Sequence, residues 1–113
     1  MKEINAIIQP IRLGPVRDAL SSAGVRGMTV SDARGFGSQG GSTDTYRGIE
    51  YRVEYVPKIR IEVVVPDDIL DAVVEAIMGA ARTGNVGDGK IWVRDVTAVY
   101  RIRTGERDEI ALN

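Results

Sequence analysis

At 113 residues with a formal net charge of −1, the chain has room for one domain with a modest core. It carries no general attraction for nucleic acid or anionic membrane. It contains no cysteine and no histidine, which excludes thiol nucleophiles, disulfides, zinc centres of the usual kind and the commonest general base. No apolar run approaches the ~20 residues that span a bilayer and nothing reads as a signal peptide, so a soluble, cytoplasmic protein is expected.

Lys2 to Gln9 alternates as a strand, and Pro10 ends it. Leu13, Val16, Leu20 and Ala23 then fall at helical spacing, with Gly24 as a stop. Gly27 to Arg34, with Met28, Val30 and Ala33, reads as a second strand, and Lys58 to Val65 as the strongest strand of the chain. Pro66 and Asp67-Asp68 open a second helix with carboxylates at its positive end. Its apolar face is expected to be Ile69, Leu70, Val73, Val74, Ile77 and Met78. Ile91 to Val99 reads as the last strand, followed by the basic run Tyr100-Arg101-Ile102-Arg103.

The order β-α-β, loop, β-α-β predicts an α+β, ferredoxin-like sandwich: a four-stranded antiparallel sheet with both helices on one face. The two halves echo each other, since Ile7-Ile8-Gln9-Pro10 and Val63-Val64-Val65-Pro66 each lead into an apolar helix. The uncovered sheet face would carry Ile7, Val64 and Trp92 among polar residues. A monomer can expose that much, but a partner subunit covering it is the preferred expectation.

The most informative stretch is Thr83 to Lys90. Gly84, Gly87 and Gly89 leave the backbone bare, so that its N–H groups can turn toward an anion, and Lys90 adds a point charge at the end. The spacing Gly84-x4-Gly89-Lys90 is that of a phosphate loop up to its last letter, where Ile91 replaces the Ser or Thr that would hold Mg²⁺. The context is also reversed, with a helix before and a strand after. A phosphate cradle is expected, but not that of an NTPase.

Between strands two and three, roughly 36–56, lies a long glycine- and hydroxyl-rich segment, either a floppy insertion or a functional loop. At its base Gly35-Phe36-Gly37-Ser38-Gln39-Gly40 fits G-x-G-x-x-G, but no helical periodicity follows, so a Rossmann site is excluded. Arg34-Gly35-Phe36-Gly37 begins like an RNA-recognition motif whose remaining aromatic positions are missing, and no nucleic-acid partner is expected. Near the end, Arg101 and Arg103 alternate on what reads as an extended segment, which would point both guanidiniums one way. Alone they fit a solvated edge; together with Gly87 to Lys90 they fit an anion site. Lys58 and Glu62 occupy alternate strand positions, and periodicity does not decide their role.

Several collinear motifs then carry a resemblance. Arg34-Gly35-Phe36-Gly37, Tyr46-Arg47-Gly48 with Glu50-Tyr51, Pro57-Lys58, Glu62 with Val64, Ala81-Arg82-Thr83-Gly84, Gly87-Asp88-Gly89-Lys90 and Arg101-Ile102-Arg103-Thr104-Gly105-Glu106 together resemble the PII signal-transduction family of nitrogen regulation, across essentially the whole chain. The resemblance implies one domain over 1–113 that forms a homotrimer with nucleotide sites in the clefts between subunits. It implies a T-loop at about 36–56 that docks on targets, a B-loop at about 82–90 and a C-terminal segment at about 100–113. Gly87, Asp88, Gly89 and Lys90 would cradle ATP or ADP phosphates, with Arg101 and Arg103 reaching them from a neighbour.

Thr29, Glu62 and Val64 match positions around the nucleoside, and Gly35, Gly37 and Ser38 match the start of the T-loop beside the ligand. Gln39 matches the residue that helps coordinate the Mg²⁺ bridging ATP to 2-oxoglutarate, Lys58 the partner of the oxoacid carboxylate, and Tyr51 a tyrosine uridylylated in some bacterial members. Expected targets are an ammonium transporter, N-acetylglutamate kinase or a glutamine synthetase regulator, with membrane contact only through a target channel.

The chain also departs from the family pattern. Ser38 stands where many members have a phosphate-contacting Arg, Gly40 and Ser42 replace common Lys and His, and Ile49 occupies the place of a serine phosphorylated in cyanobacterial relatives. Gln39-Gly40-Gly41-Ser42-Thr43 is closer to the plant and algal pattern, whereas the glutamine-sensing extension of plant-type members is not present after Asn113. The alternative class is a small ferredoxin-like phosphate-transfer or nucleotide-hydrolysing enzyme, in which a carboxylate such as Asp88 or Glu62 alone would have to activate the nucleophile.

Overall fold

The computed structural model describes residues 1–37 and 54–112. Strand β1 (Lys2–Ile8) leads through a 3-10 turn at Pro10–Arg12 into helix α1 (Leu13–Ser22). Strands β2 (Thr29–Gly35) and β3 (Val56–Val65) follow, then a second 3-10 turn at Asp67–Ile69, helix α2 (Leu70–Ala81) and strand β4 (Lys90–Asp95). The sheet order is β2-β3-β1-β4 with every neighbouring pair antiparallel, which is the ferredoxin-like arrangement expected from the element order.

Alternation sorts the two central strands. Ile4, Ala6 and Ile8 of β1 and Ile59, Ile61, Val63 and Val65 of β3 face the helices and are buried. They pack against Val16 and Leu20 of α1 and Val73, Ile77 and Ala81 of α2. Each such aliphatic side chain contributes roughly 1.5–3 kcal/mol by leaving water, so the core is aliphatic throughout. On the other face Ile7, Val64 and Trp92 are half-buried within a single copy.

Four expectations need correction. Met78 is exposed rather than part of the buried face, and α2 closes on the core with Ala81 instead. Strand β2 runs Thr29–Gly35 rather than Gly27 to Arg34, because its pairing with β3 begins at Thr29 and continues to Gly35. Asp67 sits in the 3-10 turn ahead of α2 and pairs with the N-terminal ammonium at 2.9 Å, which holds its carboxyl below the usual range by hydrogen bonding.

The fourth concerns β4, which ends at Asp95 rather than Val99, because its partner β1 runs out at Lys2 and Met1. Beyond it the segment Arg101–Thr104 is a turn, closed by Gly105 N–H on the Arg101 carbonyl (2.7 Å) and Arg101 N–H on the Glu106 carbonyl (2.8 Å). Arg101 and Arg103 therefore do not alternate on an extended strand.

Candidate functional site

The antiparallel register gathers most of the expected site residues on the helix-free face and divides them between its two ends. Ile7 of β1 lies opposite Lys90 of β4 and Arg60 of β3, so Lys90 stands at the end where β1 finishes. Lys58 lies at the same end and faces Ala33, next to Gly35 where β2 ends. Ile7, Gly35, Lys58 and Lys90, with Phe36, Gly37, Gly87, Gly89 and Trp92, line one recess of about 500 Å³.

The loop bordering this recess is built by Asp88. Its carboxylate accepts from the Thr83 N–H (2.8 Å), the Gly84 N–H (2.9 Å), the Thr83 hydroxyl and the Gln9 side-chain amide (3.1 Å). The side chain is thus spent on the loop itself, and the backbone N–H groups of Gly87 and Asp88 lie outside that bracing. The Thr83 hydroxyl, followed by the backbone donors, holds the Asp88 carboxyl below its ordinary value of 3.8. Because the folded pKa is the depressed one, this bracing is complete above the unfolded pKa and is lost as pH falls through the folded value. Hydrogen exchange at the Thr83 and Gly84 amides should accordingly be flat, after correction for the intrinsic rate, from neutral pH down to about pH 4. It should quicken below that, and Asp88→Asn should quicken it at every pH.

Lys58 joins strand to loop. Only 7 % exposed, it donates from Nζ to the Gly87 carbonyl at 2.6 Å. A buried ammonium is costly unless hydrogen-bonded, and that carbonyl, in the wall of the recess, keeps the charge there. Gly89 is fixed sterically: its φ is +100°, and a Cβ there would lie 1.7 Å from the Ile7 carbonyl oxygen. The loop of Thr83 to Lys90 is therefore pressed directly against the central strand β1. Two lysines, bare backbone and a glycine that admits no side chain suit a polyphosphate or another compact anion.

Thr29, Glu62 and Val64 lie elsewhere. Thr29 faces Glu62 across β2 and β3, and with Val64, Met28, Val99 and Leu112 they line a second recess of about 300 Å³. Val64 follows Lys58 by six residues, about 20 Å at ~3.3 Å per strand residue.

The segment carrying Arg101 and Arg103 belongs to this second end, since Arg101 pairs with Glu106 and donates to the Ile110 carbonyl at 2.7 Å, beside Ala111 and Leu112 of the recess. Within one chain the segment carrying the two arginines thus lies with the second recess rather than with the loop of Gly87 to Lys90. Ser38, Gln39 and Tyr51 lie outside the described residues. Sequence reasoning passed over Arg60, Asn5 and Gln9, although Lys58-x-Arg60-x-Glu62 puts three charges on one strand face and was the available signal.

The family model for nitrogen regulatory protein P-II matches residues 1–106. Nitrogen regulatory protein P-II 1 of Escherichia coli K12 is 55% identical over 112 residues, covering 99% of this chain and all of the relative. The P-II proteins of Klebsiella oxytoca and Pasteurella multocida are each 54% identical over the same coverage.

Proposed function

The chain belongs to the nitrogen regulatory protein P-II family and is a signal-transduction regulator of nitrogen metabolism, not an enzyme; from that premise we propose that it senses ATP or ADP together with 2-oxoglutarate. In this reading the nucleotide lies in clefts between the subunits of a homotrimer, and the outcome is reported to target proteins through the segment at about 36–56. The targets are an ammonium transporter, N-acetylglutamate kinase or a glutamine synthetase regulator.

One observation carries the shared cleft. The cradle of Gly87 to Lys90 and the recess of Thr29, Glu62 and Val64 lie at opposite ends of the sheet face, and the arginines go with the latter. Among the described residues no single copy closes around a nucleotide; in this reading two copies related by rotation would bring one chain's cradle to the other's recess and arginines. A ring closed by such head-to-tail contacts is a standard solution for a homo-oligomer.

The chemistry follows from the charges. Gly87 and Gly89 admit the phosphates, Lys90 neutralises them, and Lys58 is positioned to receive a carboxylate entering the same recess. A dicarboxylate beside a polyphosphate is repelled unless a cation lies between them, and Mg²⁺ bound with Gln39 supplies that cation. A neutral amide oxygen is a suitable ligand for it. Tyr51 and Ser38, on the same segment, are the candidate modification site and the position that tunes ATP over ADP preference.

Calorimetry with ATP and ADP, alongside light scattering, tests the proposal. A trimer that binds each nucleotide competitively at one site per chain is expected. A stable monomer at micromolar concentration, or a trimer without nucleotide heats, would remove it.

A further inference from the structure

We propose that Arg60 is the positioning residue of the nucleoside recess: it holds the Glu62 carboxylate where that group selects a purine carrying an amino group at its six position. This rests on the nucleotide-sensing reading above, which uses Glu62 but does not say what keeps a carboxylate in place on a polar sheet face.

The register sets the arrangement. Thr29, Glu62, Asn5 and Trp92 form one row across all four strands, and Arg60 lies in the next row beside Ile7. Arg60 turns back over the first row. Its Nη2 donates to Asn5 Oδ1 at 3.0 Å, its guanidinium lies 5.9 Å from the centre of the Trp92 ring, and its Nε approaches Glu62 Oε1 to 3.1 Å. Asn5 is fully buried and is itself held, donating to Glu3 Oε1 at 2.8 Å. Arg60 is thus gripped on three sides by a fixed amide, an aromatic face and the carboxylate.

The contact with Glu62 is of an unusual kind. Arg60 Nε is buried, yet among the described residues its N–H is aligned with no acceptor, so Glu62 at 3.1 Å is held by charge without a hydrogen bond. An ion pair between two mobile surface side chains would contribute little. Here the cation is already ordered, so only the carboxylate loses freedom on pairing. Glu62 remains 38% exposed, with lone pairs turned to the recess that Thr29 and Val64 share. An ionised carboxylate only accepts hydrogen bonds. Adenine offers an amino donor at its six position, where guanine presents a carbonyl oxygen that the carboxylate repels.

The test is calorimetric titration of ATP and GTP into the full chain and into Arg60→Met, Arg60→Gln, Arg60→Lys and Glu62→Gln, with the assembly state of each followed by light scattering. Arg60 stands outside the aliphatic core, so these changes leave the packing between sheet and helices intact. The ATP-to-GTP affinity ratio should fall about tenfold in Arg60→Met and Arg60→Gln, through weaker ATP binding, at unchanged assembly. Arg60→Lys, which keeps a cation within reach of Glu62, should restore most of it, and Glu62→Gln should collapse it.

A ratio that survives both neutral Arg60 variants but collapses in Glu62→Gln would overturn the role given to Arg60 and leave nucleotide sensing standing. A ratio that Glu62→Gln does not move, or a wild-type chain without ATP preference, would overturn the proposal at Glu62 itself. A wild-type chain that binds no nucleotide would overturn the underlying reading as well.

Discussion

Alanine at position 89 is expected to lower the melting temperature by roughly 10 °C or more and to abolish nucleotide binding. Two costs add. The φ of +100° is one that L side chains rarely adopt, which costs about 1–2 kcal/mol. The added Cβ would also lie 1.7 Å from the Ile7 carbonyl oxygen, and relieving such overpacking costs roughly 1–3 kcal/mol more.

Strand β1 cannot yield, because Ile7 is paired on both sides, to Arg60 and to Lys90. The loop must therefore lift, and Lys90 loses its place at the recess. Gly84→Ala is the control: its φ is +88°, but a Cβ there meets nothing within 4 Å. Only the conformational cost of about 1–2 kcal/mol remains, and nucleotide affinity should largely survive. Thermal melts of both variants, with ATP titrations, separate backbone strain from collision.

Replacing Lys58 with methionine should weaken 2-oxoglutarate binding by roughly 10- to 100-fold while reducing ATP affinity only severalfold. The stem is retained and the ammonium removed, so β3 keeps its packing. What is lost is a buried cation facing the recess, together with its bond to the Gly87 carbonyl. The carboxylate of an incoming oxoacid then enters without a counter-charge, and the loop loses one tether to the sheet.

The ordering of ligands offers a second readout. Titration of 2-oxoglutarate into ATP-saturated protein should give heat with Mg²⁺ and none with excess chelator, and none with ADP. Equal heats in both ATP titrations would contradict a metal bridge, whatever Lys58→Met does.

Where the period of apolar residues was strict, sequence and structure agree. Ile4, Ala6 and Ile8, then Ile59, Ile61, Val63 and Val65, and Val16 with Leu20 face the core as their spacing requires, because burial on one face is what selects such spacing. Agreement fails where three-dimensional neighbours override pattern. Arg101-Ile102-Arg103 alternates like a strand, yet among the described residues no strand pairs with it, and Thr104-Gly105-Glu106 folds it into a turn held by side-chain and backbone bonds to Glu106.

The bracing role of the Asp88 carboxylate is invisible to local pattern, because its partners include Gln9, 79 positions away in sequence. Gly89 was legible as a glycine of the cradle; that its neighbour is the backbone of β1 was not. The motif family was legible throughout, since its residues are collinear and several are glycines, lysines and arginines whose chemistry is specific.

The most direct test of a cleft shared between copies is complementation. Lys90→Ala and Arg103→Ala should each weaken ATP binding by tenfold or more, since each removes a charge-assisted contact of about 1.5–3 kcal/mol. When the two variants are denatured together, refolded and titrated with ATP, some clefts combine the intact loop of one chain with the intact arginine of the other. For random assembly about a quarter of the clefts recover wild-type affinity, because each cleft draws its two halves from different subunits. If loop and arginine served the same chain's site, every cleft in the mixture would keep one defect, and no tight binding would return.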